Sequence, residues 1–300
     1  MRLAVTGATG FVGTRLVMQA VAAGHDVSAL TRKPRTAEDK VEWVHGALDQ
    51  PAALLRLVDG ADAVIHVAGV VNAPDRAAFV AGNVEGTRAV LVAAGQVGVR
   101  RLVHISSLAA REPALSAYGW SKAESEALVT ASALDWDIVR PPAVYGPGDM
   151  DLYEIFRLAR FGLALLPPGG RMSAIHADDL ARLLIALAGR PATCTIYEPD
   201  DGEPNGWSHA GFARVVGEAV GRRVLPIAAP AALMRAGAWI DRRVRGPRAR
   251  LTPDRVSYFC HPDWVSNPAR RPPLDLWQPR IDTREGLAQT AAWYRAHTLL

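Results

Sequence analysis

Lysine is nearly absent from this chain: Lys33, Lys40 and Lys122 are the only three among 34 basic side chains, and the rest are arginine. In a chain that writes its positive charges as arginine, each lysine is a position to inspect, since an ammonium can do what an always-charged guanidinium cannot. Cysteine is equally sparse. Cys194 and Cys260 are too few for a disulfide framework and lack metal-ligand spacing, so no bound metal is expected. No apolar run approaches the ~18 residues of a bilayer-spanning helix. Leu3 already belongs to an expected strand, leaving no room for a leader, and the expected location is cytoplasmic.

The composition, 49% apolar and 21% charged, is that of a globular protein. The net charge of +4 hides an asymmetry. Residues 222–271 hold eleven arginines and three aspartates, a local excess of eight, and the rest of the chain is acidic by four. Its densest part is Arg242-Arg243-Val244-Arg245-Gly246-Pro247-Arg248-Ala249-Arg250, just after the apolar run Ala231–Ile240. This is a solvated loop, a contact for an anionic substrate, or an acidic membrane-surface contact. No aromatic residues interleave with it as on a nucleic-acid platform, and none is expected to bind.

What is present begins with Thr6-Gly7-Ala8-Thr9-Gly10-Phe11-Val12-Gly13, between the apolar Arg2–Val5 and the amphipathic Thr14–Ala23. Glycines three apart between a strand and a helix build a dinucleotide-binding turn. The first permits the tight turn, the second lets a pyrophosphate approach the backbone, and the third brings helix against strand. Strands are expected at Leu3–Thr6, Asp26–Thr31, Val41–His45, Ala63–Ala68, Arg101–Ser106 and Asp137–Arg140, and Thr195–Tyr197 reads as an extra one. Helices are expected between them at Phe11–Ala23, Pro51–Val58, Ala81–Gln96 and Ala117–Ala131. This alternation predicts an α/β fold, a doubly wound parallel Rossmann sheet. After Pro141-Pro142 prolines punctuate the chain. Residues 149–300 are expected to form a smaller, mostly helical substrate-binding lobe, with 1–148 the nucleotide domain and 173–198 returning to it.

Tyr118-Gly119-Trp120-Ser121-Lys122 puts a phenol and an ammonium four apart, on one helix face, eleven residues after Ser106-Ser107 ends a strand. A tyrosine acting as acid and base must ionise near neutrality although its ordinary pKa is ~10, and a neighbouring cation favours the phenolate. Phenol, cation and hydroxyl are present in workable order for proton transfer to a carbonyl.

These residues make the chain resemble the extended short-chain dehydrogenase/reductase superfamily. The resemblance spans nearly the whole length: Thr6–Gly13, His66-Val67-Ala68-Gly69, Asn83-Val84-Glu85-Gly86-Thr87, Ile105-Ser106-Ser107, Tyr118-x-x-x-Lys122, Arg140–Pro147, Ile175–Leu180 and Glu285-Gly286-Leu287 with Trp293-Tyr294. It implies Tyr118 as acid/base, Lys122 on the nicotinamide ribose, Ser107 rather than Ser106 orienting substrate, and Asn83 in the active-site hydrogen-bond chain. It further implies that Gly7, Thr9, Gly10, Phe11, Val12 and Gly13, then Val67, Ala68, Gly69, Pro141 and Val144, line the cofactor. It also implies a homodimer through helices near 83–96 and 117–131.

The second strand ends in Thr31-Arg32-Lys33-Pro34-Arg35 with no acid in reach, so Arg32 and Lys33 favour NADP(H) over NAD(H). The family's acidic adenine contact is replaced by Ala47, which leaves Leu48 and Asp62 as adenine-pocket expectations. Pro142 stands near the place where nucleotide-sugar enzymes carry an asparagine, and it has no donor to offer. The expected substrate is therefore a small-molecule ketone or secondary alcohol. A nucleotide-sugar epimerase or dehydratase, and a non-catalytic NADP-binding scaffold, are the alternatives. His176 with Asp178-Asp179 reads as a helix start whose acids suit the dipole and tether the two lobes.

Overall fold

A computed structural model describes residues 1–36, 38–246, 249 and 251–300. The chain divides into two compact units, Met1–Pro141 with Asp178–Glu198 and Arg270–Gln278, and Pro142–Ala177 with Pro199–Ala269 and Pro279–Leu300.

The first unit is built on β1 (Arg2–Thr6), β2 (Asp26–Thr31), β3 (Val41–His45), β4 (Ala63–His66), β5 (Arg101–Ile105) and β6 (Asp135–Val139), with Ile196–Tyr197 as a seventh strand. Their order is 3-2-1-4-5-6 with Ile196–Tyr197 outside β6, and every pairing is parallel. Parallel strands need crossovers. Helices α1 (Phe11–Ala22), α2 (Pro51–Val58), α3 (Arg76–Phe79), α4 (Gly86–Val97) and α5 (Ala117–Thr130) supply those between β1 and β2 and from β3 to β6, while β2 and β3 are joined with no helix among the described residues. Because both sheet faces are covered, the central strands are buried along their whole length: all four residues of β4 and all five of β5 are buried. Leu54, Leu57, Val64, Val90, Leu102 and Ile138 belong to one core cluster. Each such side chain contributes about 1.5–3 kcal/mol by leaving water.

Helix ends follow local chemistry. Pro51 opens α2, Ser116 Oγ accepts from the Gly119 amide at the start of α5, and Gly98 closes α4 at φ +85°. The periodicity predicts one helix over Ala81–Gln96, and here the structure differs. Val80–Glu85 is a π-helical turn ahead of α4. Asn83 holds that turn in place: its Oδ1 accepts from Val70 N at 2.6 Å and its Nδ2 donates to Val70 O at 2.9 Å. Asp178 and Asp179 lie in the first turn of helix Ala177–Ala188, and Asp178 pairs with Arg15 of α1.

The second unit carries three small sheets as well as helices. Ala143–Tyr145 pairs with Ala174–His176, Arg171–Met172 lies between Trp207–Ser208 and Asp263–Trp264, and Leu163–Leu166 pairs with Leu225–Ala228. Its core joins Tyr145, Phe156, Phe212, Val216, Leu287 and Tyr294. Helix Thr283–Ala296 meets the first of these sheets at Gly286, where a Cβ would come within 2.9 Å of both Tyr145 and His176. Among the described residues, no helix is long and apolar enough to cross a membrane.

Candidate active site

Since every strand of the large sheet runs the same way, the loops after β1, β2, β3, β4, β5 and β6 all open on one edge. The first is the glycine turn. Gly7 has φ +70°, and a Cβ there would lie 2.6 Å from Ala68 N, so the turn leans directly on the segment after β4. Gly10 N donates to Gly7 O at 3.0 Å, and a Cβ on Gly13 would fall 2.0 Å from that same oxygen. Gly10 is the N-cap of α1. No side chain caps that helix and its first turn carries no acid, so its positive end is left to another anion. Thr9, Phe11 and Val12 flank this end.

The other loops bring most of the expected residues to the same edge. Arg32 and Lys33 are exposed just past β2, where Lys33 N donates to Thr31 Oγ1. Arg35 is occupied elsewhere, stacked 4.5 Å over Trp43. Leu48, past β3, rests on Gly86 of α4, where an added Cβ would meet its Cδ1 at 2.6 Å. Val67, Ala68 and Gly69 follow β4, Ser107 follows β5, and Pro141 follows β6 with its carbonyl accepting from Leu108 N.

Lys122 is the buried cation at this edge. Only 5% of it is exposed, and its Nζ donates to Ile105 O, the last carbonyl of β5, at 2.6 Å. The same Nζ is 3.8 Å from where a Gly69 Cβ would stand. Burial pushes its pKa down to about 8, with Glu126 opposing the shift, so the ammonium is charged at neutral pH. Tyr118 lies one turn earlier on α5, half-buried, with its ring 6.1 Å from Phe79. Of the two serines, Ser106 donates its hydroxyl hydrogen to Glu126, which in turn pairs with Arg140. Ser107 Oγ accepts from Ala109 N at 3.2 Å, a bond that leaves its own hydrogen free to donate.

Behind these groups runs a polar chain that sequence reasoning missed. Thr87 Oγ1 donates to Asn83 O at 2.7 Å, so it accepts from His66 Nε2–H at 3.0 Å. His66 Nδ1 is then bare and accepts from Thr6 Oγ1 at 2.6 Å, while Thr6 Oγ1 accepts from Ala68 N. On the far side Asn83 Nδ2 donates to Ser121 Oγ, which donates to Tyr118 O. The glycine turn, the end of β4, the π turn and α5 are thereby wired together. His66 is also in register with His104 on β5, their rings stacked at 5.3 Å. Burial, then the Lys122 charge, lowers the His66 pKa to about 3 and holds His104 well below its ordinary value. Both imidazoles are neutral. The available signal was a histidine inside an otherwise apolar strand.

One expected cofactor residue is not brought to this edge. Asp62 precedes β4 at the opposite end of the sheet, about 13 Å of strand from His66, and its carboxylate accepts from Arg2 N at 2.7 Å. It ties β4 to β1 and does not line an adenine pocket. Val144 belongs to the second unit, in the strand Ala143–Tyr145.

A parallel doubly wound sheet with a glycine turn and a buried lysine at its carboxyl edge defines a nucleotide-dependent oxidoreductase fold of the short-chain dehydrogenase/reductase type. The chain belongs to the NAD(P)H-binding family, which it matches over residues 7–191. It is 34% identical over 303 residues to a ceramide reductase of Caulobacter vibrioides, covering 98% of this chain and 94% of that one. It is 30% identical to the 2-alkyl-3-oxoalkanoate reductase of Stenotrophomonas maltophilia, covering 97% and 99%. Among solved structures it resembles the human epimerase family protein SDR39U1 with NADPH, with TM-score 0.76, 21% identity and coverage of 97% and 99%. The chain is an NAD(P)-dependent enzyme of the reductase and epimerase type.

Proposed function

We propose that this enzyme is an NADPH-dependent ketoreductase whose substrate is a ketone carried on a long-chain lipid. The observation that carries the reading is the Lys122 ammonium, buried against Ile105 O beside Gly69 and one helical turn from Tyr118. The residues present suit a bound dinucleotide: the uncapped, acid-free start of α1 fits a pyrophosphate, and Lys122 fits the ribose hydroxyls. When bound, NADPH supplies the hydride.

The chain's own residues then have separable tasks. Gly7, Gly10 and Gly13 let the backbone reach the pyrophosphate. Arg32 and Lys33 receive the 2′-phosphate, the sign of which selects NADP(H) over NAD(H). Ser107 donates to the substrate oxygen. Tyr118 gives that oxygen its proton, and Lys122 keeps a positive charge one turn away. Asn83 and His66 hold the π turn and α5 in register. The lipid assignment is supported by the ceramide and oxoalkanoate reductases, both similar over nearly the full chain.

The test is loss of reduced-nicotinamide absorbance with long-chain 3-oxo amides and 3-oxo acids beside short ketones, with chromatography of the products for UDP-sugars, whose epimerisation consumes no net cofactor. Turnover confined to the long-chain 3-oxo compounds is expected. Turnover of a UDP-sugar alone, or of short ketones at equal efficiency, contradicts the proposal.

A further inference from the structure

The second unit exposes apolar side chains in a pattern that the reductase site does not use. Helix Ala231–Arg245 packs through Met234, Gly237, Ala238 and Asp241 toward Leu251 and the helix Pro253–Phe259, where Met234 Sδ meets Cys260 Sγ at 3.9 Å. The flanking face carries Leu233, Ala236, Ile240 and Val244, spaced three, four and four. That is the spacing of one helical stripe, normally turned into a core. Here it faces solvent: Val244 is 77% exposed, Leu233 62% and Ile240 55%, with Trp239 at 60% beside them.

A second apolar face lies just upstream. In the ribbon of Leu163–Leu166 and Leu225–Ala228, the register pairs Leu163 with Leu225 and Leu165 with Ile227, and all four are exposed. Their alternates Ala164 and Leu166 are buried against Ala213. Only Ala229-Pro230 separates this ribbon from the helix.

The charge around these faces is predominantly positive. Arg222 and Arg223 precede the ribbon, and Arg235, Arg242, Arg243 and Arg245 lie on the helix. Its one acid, Asp241, is half-buried, paired with Arg245 and accepting from Leu251 N. Arg243 stacks 4.7 Å over Trp239, and Arg160 stacks 4.7 Å over Phe161. Tryptophan and arginine beside an aliphatic stripe suit the boundary between water and acyl chains. Two copies joined through this face would bring their arginines together, which disfavours a second copy as its occupant. Pro247, Arg248 and Arg250 lie outside the described residues and carry none of this.

We propose that the outward face of helix Ala231–Arg245 docks the enzyme onto an anionic lipid bilayer, apolar side chains in the headgroup boundary and arginines on the lipid phosphates. This does not rest on the ketoreductase reading, since none of these residues has a part in it. The experiment floats the full-length protein with phosphatidylcholine vesicles, and with vesicles about one-third phosphatidylglycerol, at low and high salt. Wild type is expected to float with the anionic vesicles, less so at high salt. I240E/V244E is expected to lose at least about ten-fold in partitioning. R242A/R243A is expected to lose about five-fold per arginine on anionic vesicles alone. Melting temperature and NADPH binding show that each variant is folded. Absence of wild-type flotation overturns the proposal. So does I240E/V244E floating like wild type, or splitting a dimer with flotation unchanged.

Discussion

Lys122 on α5 donates its ammonium hydrogen to the carbonyl of Ile105, the residue that ends β5. One bond therefore fixes the active-site helix to the sheet edge and places a buried positive charge where the glycine turn opens. Lys122→Met keeps the stem and deletes the charge. We expect turnover to fall by about 10²-fold or more, and NADPH affinity to weaken as the ribose contact is lost. The same variant removes the charge that lowers His66 and His104, so both histidines should titrate higher. Ring-proton NMR shifts against pH check this, and a merely structural lysine would not move them.

Gly13→Ala puts a Cβ 2.0 Å from Gly7 O and 2.7 Å from Gly7 C, both rigid backbone atoms. The start of α1 must shift. A stability loss of about 1–3 kcal/mol is expected, with NADPH affinity falling further than that loss explains. Urea unfolding and a fluorescence titration measure the two.

Arg32→Ala tests the cofactor preference. A charge-assisted hydrogen bond contributes about 1.5–3 kcal/mol, so kcat/KM for NADPH should drop about 10–100-fold while that for NADH stays level. Equal losses with both cofactors would place Arg32 away from the 2′-phosphate.

Stability should depend on pH through the buried imidazoles. The folded pKa of His66 is about 3, below its unfolded value of 6.5, and His104 shifts the same way. Between these values the unfolded chain binds more protons, so stability present above pH 6.5 is lost as pH falls, by about 1.4 kcal/mol per pH unit for each histidine. In the second unit Asp149 works oppositely. Burial raises its carboxyl to about 7, so its contribution is present at low pH and is lost as pH rises toward 7. Two groups outweigh one, and the urea midpoint should fall between pH 6.5 and pH 5. His66→Asn should flatten that fall.

The sequence makes local features legible. Three glycines between strand and helix, and a tyrosine four residues before a lysine, are close enough in the chain for spacing to imply geometry. Long-range placement is not legible in this way. Asp62 is the exception, since its place just before the expected strand Ala63–Ala68 already puts it at the amino end of a parallel sheet, away from the carboxyl edge. The stacking of His66 on His104 depends on a register that only the folded sheet sets. The π turn is hidden because apolar periodicity cannot show that Asn83 will bond twice to Val70. The Arg-rich helix reads the same whether its apolar stripe is packed or bare.

Tyr118→Phe gives the sharpest answer about the chemistry. It removes one oxygen from a half-buried ring and leaves the Lys122 and Asn83 contacts in place. NADPH should bind the variant as tightly as wild type, while single-turnover reduction of a long-chain 3-oxo substrate slows by about 10²–10⁴-fold. Near-normal reduction by this variant would contradict the assignment of Tyr118 as the proton donor.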